Sequence, residues 1–399
     1  MILKRGAVPA TPHTEFRHKG RFTLEEIHGS YGFSGPHSRR IHLRGYPTEQ
    51  SAPPVAAGFD LTPRPPAEPP VLQPYHLQTE RVSPGPDAIR ARTALVYGPN
   101  TIVSVVRTSG SMAKDVFFRN GDKHELYFVQ EGKGTLRTEY GDVGFRKNHY
   151  LVVPKGTTYR VDVDADCWLL LLESTYPIDF APHHLNRAGQ ATLMAPIVET
   201  EIEAPEFKAP VDRAGRHFVD VKHDGGRVTR LTLGHHPFDL AGWEGALFPF
   251  AFDILNHHGI ARAIHTAPPA HQTFQSGNAP FNGFSVCSFV PQMEGWDPRD
   301  VPAPYAHSNV DSDECMFFAN ASYGAREGVI RPGSMTFHPG STPHSPQGRA
   351  AERSTLGRGK MNRRLAVMLD TFFESLAVTD AGWLVRDAEY PMSWTKESR

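Results

Sequence analysis

The sequence predicts a protein dominated by β-structure, with two tandem β-modules, an N-terminal extension and a short C-terminal tail. Three observations support this prediction. Thirty-five glycines and 35 prolines divide the 399-residue chain into short apolar runs. Few stretches show the 3.6-residue period of a long amphipathic helix. The apolar runs are rich in β-branched and aromatic residues and are bounded by turn residues, as strands are.

The strand-like segments come in two series. The first series lies between residues 93 and 175 and reads TALVYG, TIVSVV, DVFFRN, ELYFVQEG, GTLRTEYG, HYLVVPKG and DCWLLLLEST. The second lies between residues 226 and 373 and reads GRVTRLTL, GFSVCSFVP, ECMFFANA, GVIRPGSMTFHPG and RLAVMLDTFF. Short β-rich runs separated by turns are typical of sandwiches and barrels, so we expect one module in each series.

The expected domain boundaries follow from these series and from composition. We expect an N-terminal extension at residues 1–85 and a first β-module at residues 86–196. A charged connector should follow at residues 197–214, a second β-module at residues 215–373 and a tail at residues 374–399. Within the extension, the stretch from Ser51 to Tyr75 holds eight prolines. Proline can neither continue a helix nor pair in a central strand, which predicts an extended surface segment there.

Composition excludes several classes of function. Forty-two basic residues against 43 acidic ones give a formal charge of −1, so no attraction to nucleic acid or anionic membrane is expected. No apolar run suits a signal peptide or a bilayer span, which predicts a cytoplasmic protein. Three cysteines without a CxxC spacing predict that any metal is held by histidines and carboxylates. The expected partner is a small molecule or another copy of the chain.

One motif occurs in both modules. Residues 144–159 read GFRKNHYLVVPKGTTY, and residues 333–344 read GSMTFHPGSTPH. Each has a glycine, an apolar strand, a Pro/Gly turn and then a ring-bearing residue. This pattern resembles the second motif of the cupin jelly-roll barrel, in which the turn delivers a metal-binding histidine. The resemblance implies a metal ligand at His344, whereas Tyr159 stands at that position in a first module without a metal.

The preceding motif can also be found in each module. HELYFVQEGKG, residues 124–134, resembles a degraded first motif, and HSNVDSDECMFF, residues 307–318, is its counterpart in the second module. The latter offers the imidazole of His307 and the carboxylates of Asp313 and Glu314. Two imidazoles and one carboxylate with open coordination positions are the ligand set of non-haem iron(II) oxygenases, so Fe(2+) is the expected cofactor.

The segment HSNVDSDECMFFANASYGAREGVIRPGSMTFHPGSTPHSP resembles the catalytic segment of the homogentisate 1,2-dioxygenases. The similarity extends to HTEFR and LEEIHGSYGFSGPHS near the N-terminus, to HHPFDLAGWEGALFPF and to IHTAPP. It implies the following roles, with His344 also placed at the substrate: iron ligands His307, Glu314 and His344; acid-base residue His265; substrate contacts Tyr323 and His338.

Two departures from the family pattern affect these assignments. The family places its carboxylate six residues after the first histidine, where this chain has Asp313, while Glu314 lies one position further. Counting back from His344 favours Glu314, which places the extra residue in the preceding turn. The second departure is Ala306, where the family commonly has a tyrosine.

For His338, two roles remain open: contact with the substrate, or orientation of a metal ligand. Tyr323 can equally be an ordinary strand aromatic. His265 and His271 both lie in a proline-rich segment where a surface histidine would be unremarkable. His257 and His258 have no motif behind them, and we interpret them as structural.

The resemblance implies a function as well. An enzyme of this family opens the ring of homogentisate with O2 to give maleylacetoacetate, a step in tyrosine and phenylalanine breakdown, and assembles from trimers. One alternative is a related cupin dioxygenase that acts on gentisate or another hydroquinone. Glu314 argues against the gentisate type, which uses three histidines. A second alternative is a bicupin that binds a ligand without catalysis.

Overall fold

β-Strands form most of the regular structure in the computed structural model, which describes residues 1–44, 50–258, 268–276, 283–322, 326 and 328–395. Within this part of the chain the first half contributes seventeen strands. They are β1 (Leu3–Gly6), β2 (Arg17–His18), β3 (Arg21–Phe22), β4 (Leu24–Gly29), β5 (His37–His42), β6 (Ala52–Asp60), β7 (Tyr75–Gln78), β8 (Arg92–Tyr97), β9 (Thr101–Thr108), β10 (Val116–Asn120), β11 (His124–Glu131), β12 (Lys133–Thr138), β13 (Gly141–Arg146), β14 (His149–Val153), β15 (Thr158–Val163), β16 (Cys167–Ser174) and β17 (Asp179–Phe180).

The second half of the chain adds further strands and two short α-helices. The strands are β18 (Ala214–His223), β19 (Arg227–His235), β20 (Leu240–Gly245), β21 (Phe250–Asp253), β22 (Gln272–Gln275), β23 (Gly283–Phe289), β24 (Gln292–Glu294), β25 (Glu314–Phe318), β26 (Ser334–His338), β27 (Lys360–Asn362), β28 (Ala366–Phe372) and β29 (Ala377–Val378). The helices are α1 (Ala350–Ser354) and α2 (Asp380–Leu384). No helix in the part of the chain that the structure describes is long and apolar enough to cross a membrane.

Three seven-stranded sheets organise the molecule. The outer sheet has the order β13-β12-β15-β10-β18-β19-β6, and the central sheet has the order β21-β14-β11-β16-β9-β8-β29. The third, which we call the site sheet, has the order β17-β22-β23-β28-β25-β26-β7. A smaller N-terminal sheet has the order β1-β20-β5-β4.

The central sheet separates two hydrophobic cores, because strand side chains alternate between faces. On β11, Tyr127 and Val129 pack toward the outer sheet, whereas Leu126 and Phe128 pack toward the site sheet. Apolar side chains of the site sheet complete the second core. The fold is therefore strand-dominated and cupin-like, as predicted, and the central sheet of the first module packs face to face against the site sheet of the second.

The site sheet also has a second, opposite face. Cys315 and Phe317 of β25 point into the core against the central sheet, while Met316 and Phe318 join a small apolar cluster on the other side. By the same alternation, Glu314 lies on the side of Met316. This side forms the interior of the second module, and it is where the candidate site lies.

Strand pairing differs from the predicted division of the chain in one respect. The sequence places β18 and β19 in the second module, but β18 pairs in parallel with β10 and β19 pairs with β6. Both strands therefore extend the outer sheet of the first module. The reason is that strand patterns predict which segments are strands, not which strands become neighbours.

The N-terminal extension is more ordered than a simple surface segment. Its strands β1 and β5 pair with β20, β4 pairs with β5, and β7 forms an edge of the site sheet. The proline-rich stretch begins with β6, which contains Pro53 and Pro54 and lies at the edge of the outer sheet. An edge position tolerates prolines because one side of the strand needs no ladder hydrogen bonds.

Candidate metal centre

His307, Glu314 and His344 come together at one end of the site sheet. Glu314 begins β25, and His344 follows β26 after the turn that the Pro-Gly motif predicts. His307 lies in the loop before β25, where its backbone exchanges two hydrogen bonds of 2.9 Å with that of His344. One potential ligand atom from each of the three side chains lies within 4.8 Å of the others. The structure thus brings together the three residues that the family resemblance selects as ligands.

The distances show how closely the three groups meet. His307 Nε2 lies 3.3 Å from Glu314 Oε2, and His344 Nε2 lies 3.4 Å from the same oxygen. His344 Nε2 is buried and forms no hydrogen bond. A buried polar atom without a partner is costly, and a metal ion bound at this nitrogen would provide one.

Backbone hydrogen bonds fix both imidazoles in the tautomer that suits a metal. Nδ1 of His307 lies 3.1 Å from the carbonyl oxygen of Tyr305, and Nδ1 of His344 lies 3.1 Å from that of Thr342. A carbonyl only accepts, so each Nδ1 carries the hydrogen and the neutral ring has its lone pair on Nε2. Metal-binding histidines commonly donate their second nitrogen in this way.

His338 and Arg326 form a hydrogen-bonded chain to Oε1 of the Glu314 carboxylate. His338 Nδ1 lies 3.1 Å from Glu314 Oε1, and Arg326 Nη2 lies 3.3 Å from His338 Nε2. Because a guanidinium only donates, His338 Nε2 accepts and Nδ1 donates to Glu314. The His338 ring is 1% exposed and stacks on His344 with centroids 4.1 Å apart. Of the two roles predicted for His338, this geometry favours orienting Glu314, and substrate contact stays a prediction.

Electrostatics keep the carboxylate charged. Burial alone would raise the pKa of Glu314, but hydrogen bonding to His307 and His338, together with the His344 imidazole in contact with it, holds this pKa well below its usual range. The hydrogen bond to Glu314 raises the pKa of His307. Burial lowers the pKa of His338 to about 4, so this ring is neutral at physiological pH.

Asp313, the residue at the family's usual offset, points away from the cluster. Its Oδ1 accepts from the backbone N–H of Gly340 at 2.6 Å, and its Oδ2 accepts from that of Leu376 at 2.6 Å. These contacts tie the turn before His344 to the chain after β28. Glu314, rather than Asp313, therefore faces the two imidazoles.

Asp370 is a further acidic residue beside the cluster, and the sequence analysis did not select it. It lies directly opposite Glu314 in the pairing of β25 with β28. Burial, and next the charge of Glu314, raise the pKa of Asp370 to about 8. Its only signal in the sequence is a charge inside an otherwise apolar strand, AVMLDTF.

A cavity of 280 Å³ opens beside these groups. His307, Glu314 and Asp370 lie on its wall, and the apolar side chains of Phe289 and Met368 also line it. This volume suits a small organic molecule. A larger cavity of 680 Å³ lies on the far side of Asp313, but the three clustered residues do not line it.

Two predicted site residues, His265 and Tyr323, lie outside the described residues. Of the other histidines of the region, His257 has the structural environment that we expect, whereas His271 is not the surface residue that its proline-rich surroundings predict. His257 is buried and bonds through its two ring nitrogens to the Ala270 carbonyl and the Thr273 hydroxyl, a structural role. His271 is buried and lines the 280 Å³ cavity rather than the surface.

The donor set fits a divalent metal ion. Nε2 of His307 and Nε2 of His344 face one carboxylate oxygen, and the buried Nε2 of His344 has no hydrogen-bond partner. Within the described residues, no lysine or arginine forms an ion pair with Glu314. His307, Glu314 and His344 are therefore a group that can hold a metal.

Comparison with known proteins gives a consistent result. Residues 99–254 match the family model for the homogentisate 1,2-dioxygenase N-terminal region, and residues 262–398 match the model for the C-terminal region. The boundary between the two matches follows the end of β21, where strand pairing also changes from the first module to the second.

Individual relatives are more distant. The chain is 29% identical over 98% of its length to a protein of Saccharolobus solfataricus named as a proposed dioxygenase, and covers 98% of that protein. It is 26% identical to the homogentisate 1,2-dioxygenases of Caenorhabditis elegans and Mus musculus, over 69% and 70% of its length. It spans 63% of the length of each of these two enzymes.

Among solved structures, a salicylate 1,2-dioxygenase variant of Pseudoaminobacter salicylatoxidans in complex with gentisate is 11% identical. The match covers 78% of this chain and 88% of that chain, with a TM-score of 0.36.

Proposed function

The chain belongs to the homogentisate 1,2-dioxygenase family, and from this premise we propose that it is an iron(II)-dependent dioxygenase that opens the ring of a hydroquinone-type acid. Homogentisate is the proposed substrate and maleylacetoacetate the product, in tyrosine and phenylalanine catabolism. One observation above all supports this proposal: His307, Glu314 and His344 converge beside a cavity for a small molecule.

Iron(II) is the proposed metal because two histidines and one carboxylate, with further positions open, are the ligand set of non-haem iron oxygenases. The two imidazoles would bind through Nε2, since their Nδ1 atoms donate to backbone carbonyls. A metal held by His307, Glu314 and His344 would supply Lewis acidity that lowers the pKa of a ring hydroxyl, and redox chemistry toward O2.

The chain's own residues contribute orientation and exclusion of water. Arg326 and His338 hold Glu314 in one orientation, which matters because a misplaced group loses much of the catalytic benefit. Phe289 and Met368 line the cavity and keep a bound ring out of water. From the family resemblance, we propose that His265 transfers the phenolic proton and that Tyr323 contacts the substrate.

One experiment tests the proposal. The protein is loaded with iron(II) under nitrogen, O2 is admitted, and O2 uptake is compared for homogentisate, gentisate and unsubstituted hydroquinone. We expect fast uptake with homogentisate and slow uptake with the other two. Preference for gentisate would favour the alternative of a related ring-cleaving dioxygenase, and no uptake with any of the three would contradict the proposal.

We also propose from the family resemblance that the chain assembles from trimers. Light scattering after size-exclusion chromatography tests this, and a monomer at micromolar concentration would contradict it.

A further inference from the structure

The 280 Å³ cavity beside the metal centre shares a wall with a second cavity. The second cavity has a volume of 370 Å³, and Arg353 and Lys360 lie on its surface. Glu294 and Arg364 line both cavities. This shared wall places a charged pair between the metal centre and a basic outer cavity.

The pair in the wall is buried. Glu294 and Arg364 are 6% and 7% exposed, and Arg364 Nη2 contacts Glu294 Oε1. Burial lowers the pKa of Arg364 to about 10, so the guanidinium stays charged at neutral pH. A buried ion pair is a weak source of stability because both charges lose their hydration. Its position in a cavity wall therefore suggests a role in binding.

The order of residues along β28 places this pair at the opposite end of the cavity from the metal centre. Asp370 lies opposite Glu314, and Met368 and Ala366 follow on the same face at about 6.6 Å per two residues. Arg364 lies two residues before the first residue of β28, Ala366, so it continues this direction away from Asp370. The middle of the cavity, beside Met368 and Phe289, is left for an aromatic ring.

We propose that Arg364 binds the carboxylate of the ring substrate, while Glu294 holds the guanidinium in place. This inference rests on the proposed function and identifies the group that selects a hydroquinone with an acidic side chain over an uncharged one. A guanidinium is suited to this task because it has five N–H donors in a planar fork, which can serve Glu294 and a second carboxylate together. The basic side chains of the outer cavity complement the charge of an entering acid.

The test compares two substrates with the iron-loaded enzyme. Homogentisate carries the carboxylate, and methylhydroquinone has an uncharged methyl group in its place. Arg364→Met should lower kcat/KM for homogentisate by about 10- to 100-fold, mostly through KM, because charge-assisted hydrogen bonds are lost. It should leave kcat/KM for methylhydroquinone unchanged. Arg364→Lys keeps the charge but not the fork, so its effect should be intermediate.

Two further variants act as controls. Arg349→Met removes the same charge from an exposed position, where Arg349 pairs with Glu352, and should leave both substrates unaffected. If Arg364→Met folds poorly because the buried Glu294 carboxylate loses the guanidinium that contacts it, the double variant Arg364→Met with Glu294→Gln removes both buried charges. The double variant should show the same selective loss with homogentisate.

A binding measurement gives a readout without turnover. Under nitrogen, calorimetry with 4-hydroxyphenylacetate should show about 10- to 100-fold weaker binding to Arg364→Met than to the wild type. An equal loss with both substrates, or no loss with homogentisate, would overturn the inference while leaving the proposed function intact. Absence of O2 uptake by the wild type with every hydroquinone would instead overturn the proposed function.

Discussion

The two modules place chemically different residues at the same positions of their strand register. Phe118 lies opposite Tyr159 in the first module, as His307 lies opposite His344 in the second. In each module a glutamate follows seven positions later: Glu125 follows Phe118, and Glu314 follows His307. Both glutamates lie opposite a second acidic residue, which is Glu173 in one module and Asp370 in the other.

The first module neutralises its two carboxylates with cations from its own chain. Arg92 Nη1 lies 2.8 Å from Glu125 Oε1 and 3.3 Å from Glu173 Oε1. Lys222 Nζ lies 2.6 Å from the same oxygen of Glu173. Two positive charges thus balance two negative ones in a site that is almost completely buried.

Arg92 also contacts Tyr159 and Phe118, which stand at the positions of His344 and His307. Its Nη2 donates to the Tyr159 hydroxyl at 2.7 Å, and its guanidinium carbon lies 4.6 Å from the centre of the Phe118 ring. In the second module, within the described residues, no lysine or arginine forms an ion pair with Glu314 or Asp370. The same strand arrangement therefore holds a pair of carboxylates in both modules. In the first module the side chains of Arg92 and Lys222 neutralise the pair, and in the second, as we propose, a bound metal ion does so.

The largest expected effect is the loss of iron and activity on substitution of Glu314, for which Glu125 provides the comparison. Glu314→Gln should lose bound iron and activity together, because it removes the only charged ligand of the proposed centre. The loss of metal affinity should exceed the roughly 10- to 100-fold that is typical when a group that merely orients a ligand is changed. Metal analysis after anaerobic loading, together with O2 uptake, measures both quantities.

Glu125→Gln is the matched control for this prediction. It makes the same change at the equivalent position of the first module, and the iron content should remain at a single ion per chain. Two ions per chain in the wild type, or loss of iron from Glu125→Gln, would contradict the assignment of the metal to the second module.

The next largest effect should come from Arg92→Met, and it should concern stability alone. The substitution leaves Glu125 and Glu173 with fewer cations in a buried site, which costs about 3–5 kcal/mol when a buried pair is broken. Iron content and kcat should not change. Urea unfolding measures the free energy, and a destabilisation below about 1 kcal/mol would show that the cluster is not what holds the first module together.

The sequence predicted those equivalent positions of the two modules that depend on local residue spacing. The Pro/Gly turns identified Tyr159 and His344 as equivalent, and the register before His344 favoured Glu314 over Asp313. The roles of Arg92, Phe118 and Lys222 were not identifiable, because these residues meet Tyr159 and the two glutamates only when distant strands pair.

The same limit explains the other differences between prediction and structure. Asp370 adjoins Glu314 only through the pairing of β25 with β28, across 56 positions from 314 to 370. The division of the chain near residue 214 placed β18 and β19 in the second module for the same reason, since hydrophobic patterns do not determine strand order. Strand existence was correctly predicted because alternation and turn residues are local signals.

A third prediction uses pH and the first histidine of the degraded motif. Burial, and next the charge of Lys155, lower the pKa of His124 to about 4, whereas the pKa of His307 is raised. In the unfolded state the pKa of His124 is near 6.5. Between pH 6.5 and 4 the unfolded state therefore binds more protons at His124 than the folded state does, so the free energy of unfolding decreases as the pH falls through this range. Lowering the pKa of His124 from 6.5 to about 4 corresponds to about 3 kcal/mol of stability.

His124→Gln should therefore flatten the loss of stability between pH 6.5 and 4, relative to the wild type. Its amide oxygen can still accept the hydrogen bond that His124 Nδ1 receives from the Lys155 N–H at 3.1 Å. Denaturant unfolding across this pH range measures the difference. Parallel pH curves for the two proteins would contradict the prediction.

The smallest expected effect concerns Asp313, which lies next to Glu314 but faces the other side of the strand. Asp313→Ala leaves the backbone N–H groups of Gly340 and Leu376 without their acceptor, which should cost about 1–3 kcal/mol of stability. Iron should remain bound, because two reciprocal backbone hydrogen bonds to His307 still hold His344 in place. Glu314→Ala should empty the site at a similar cost in stability. Iron analysis of the two variants separates these cases, and a filled site in Glu314→Ala with an empty one in Asp313→Ala would reverse the facing of every side chain from Glu314 to Phe318.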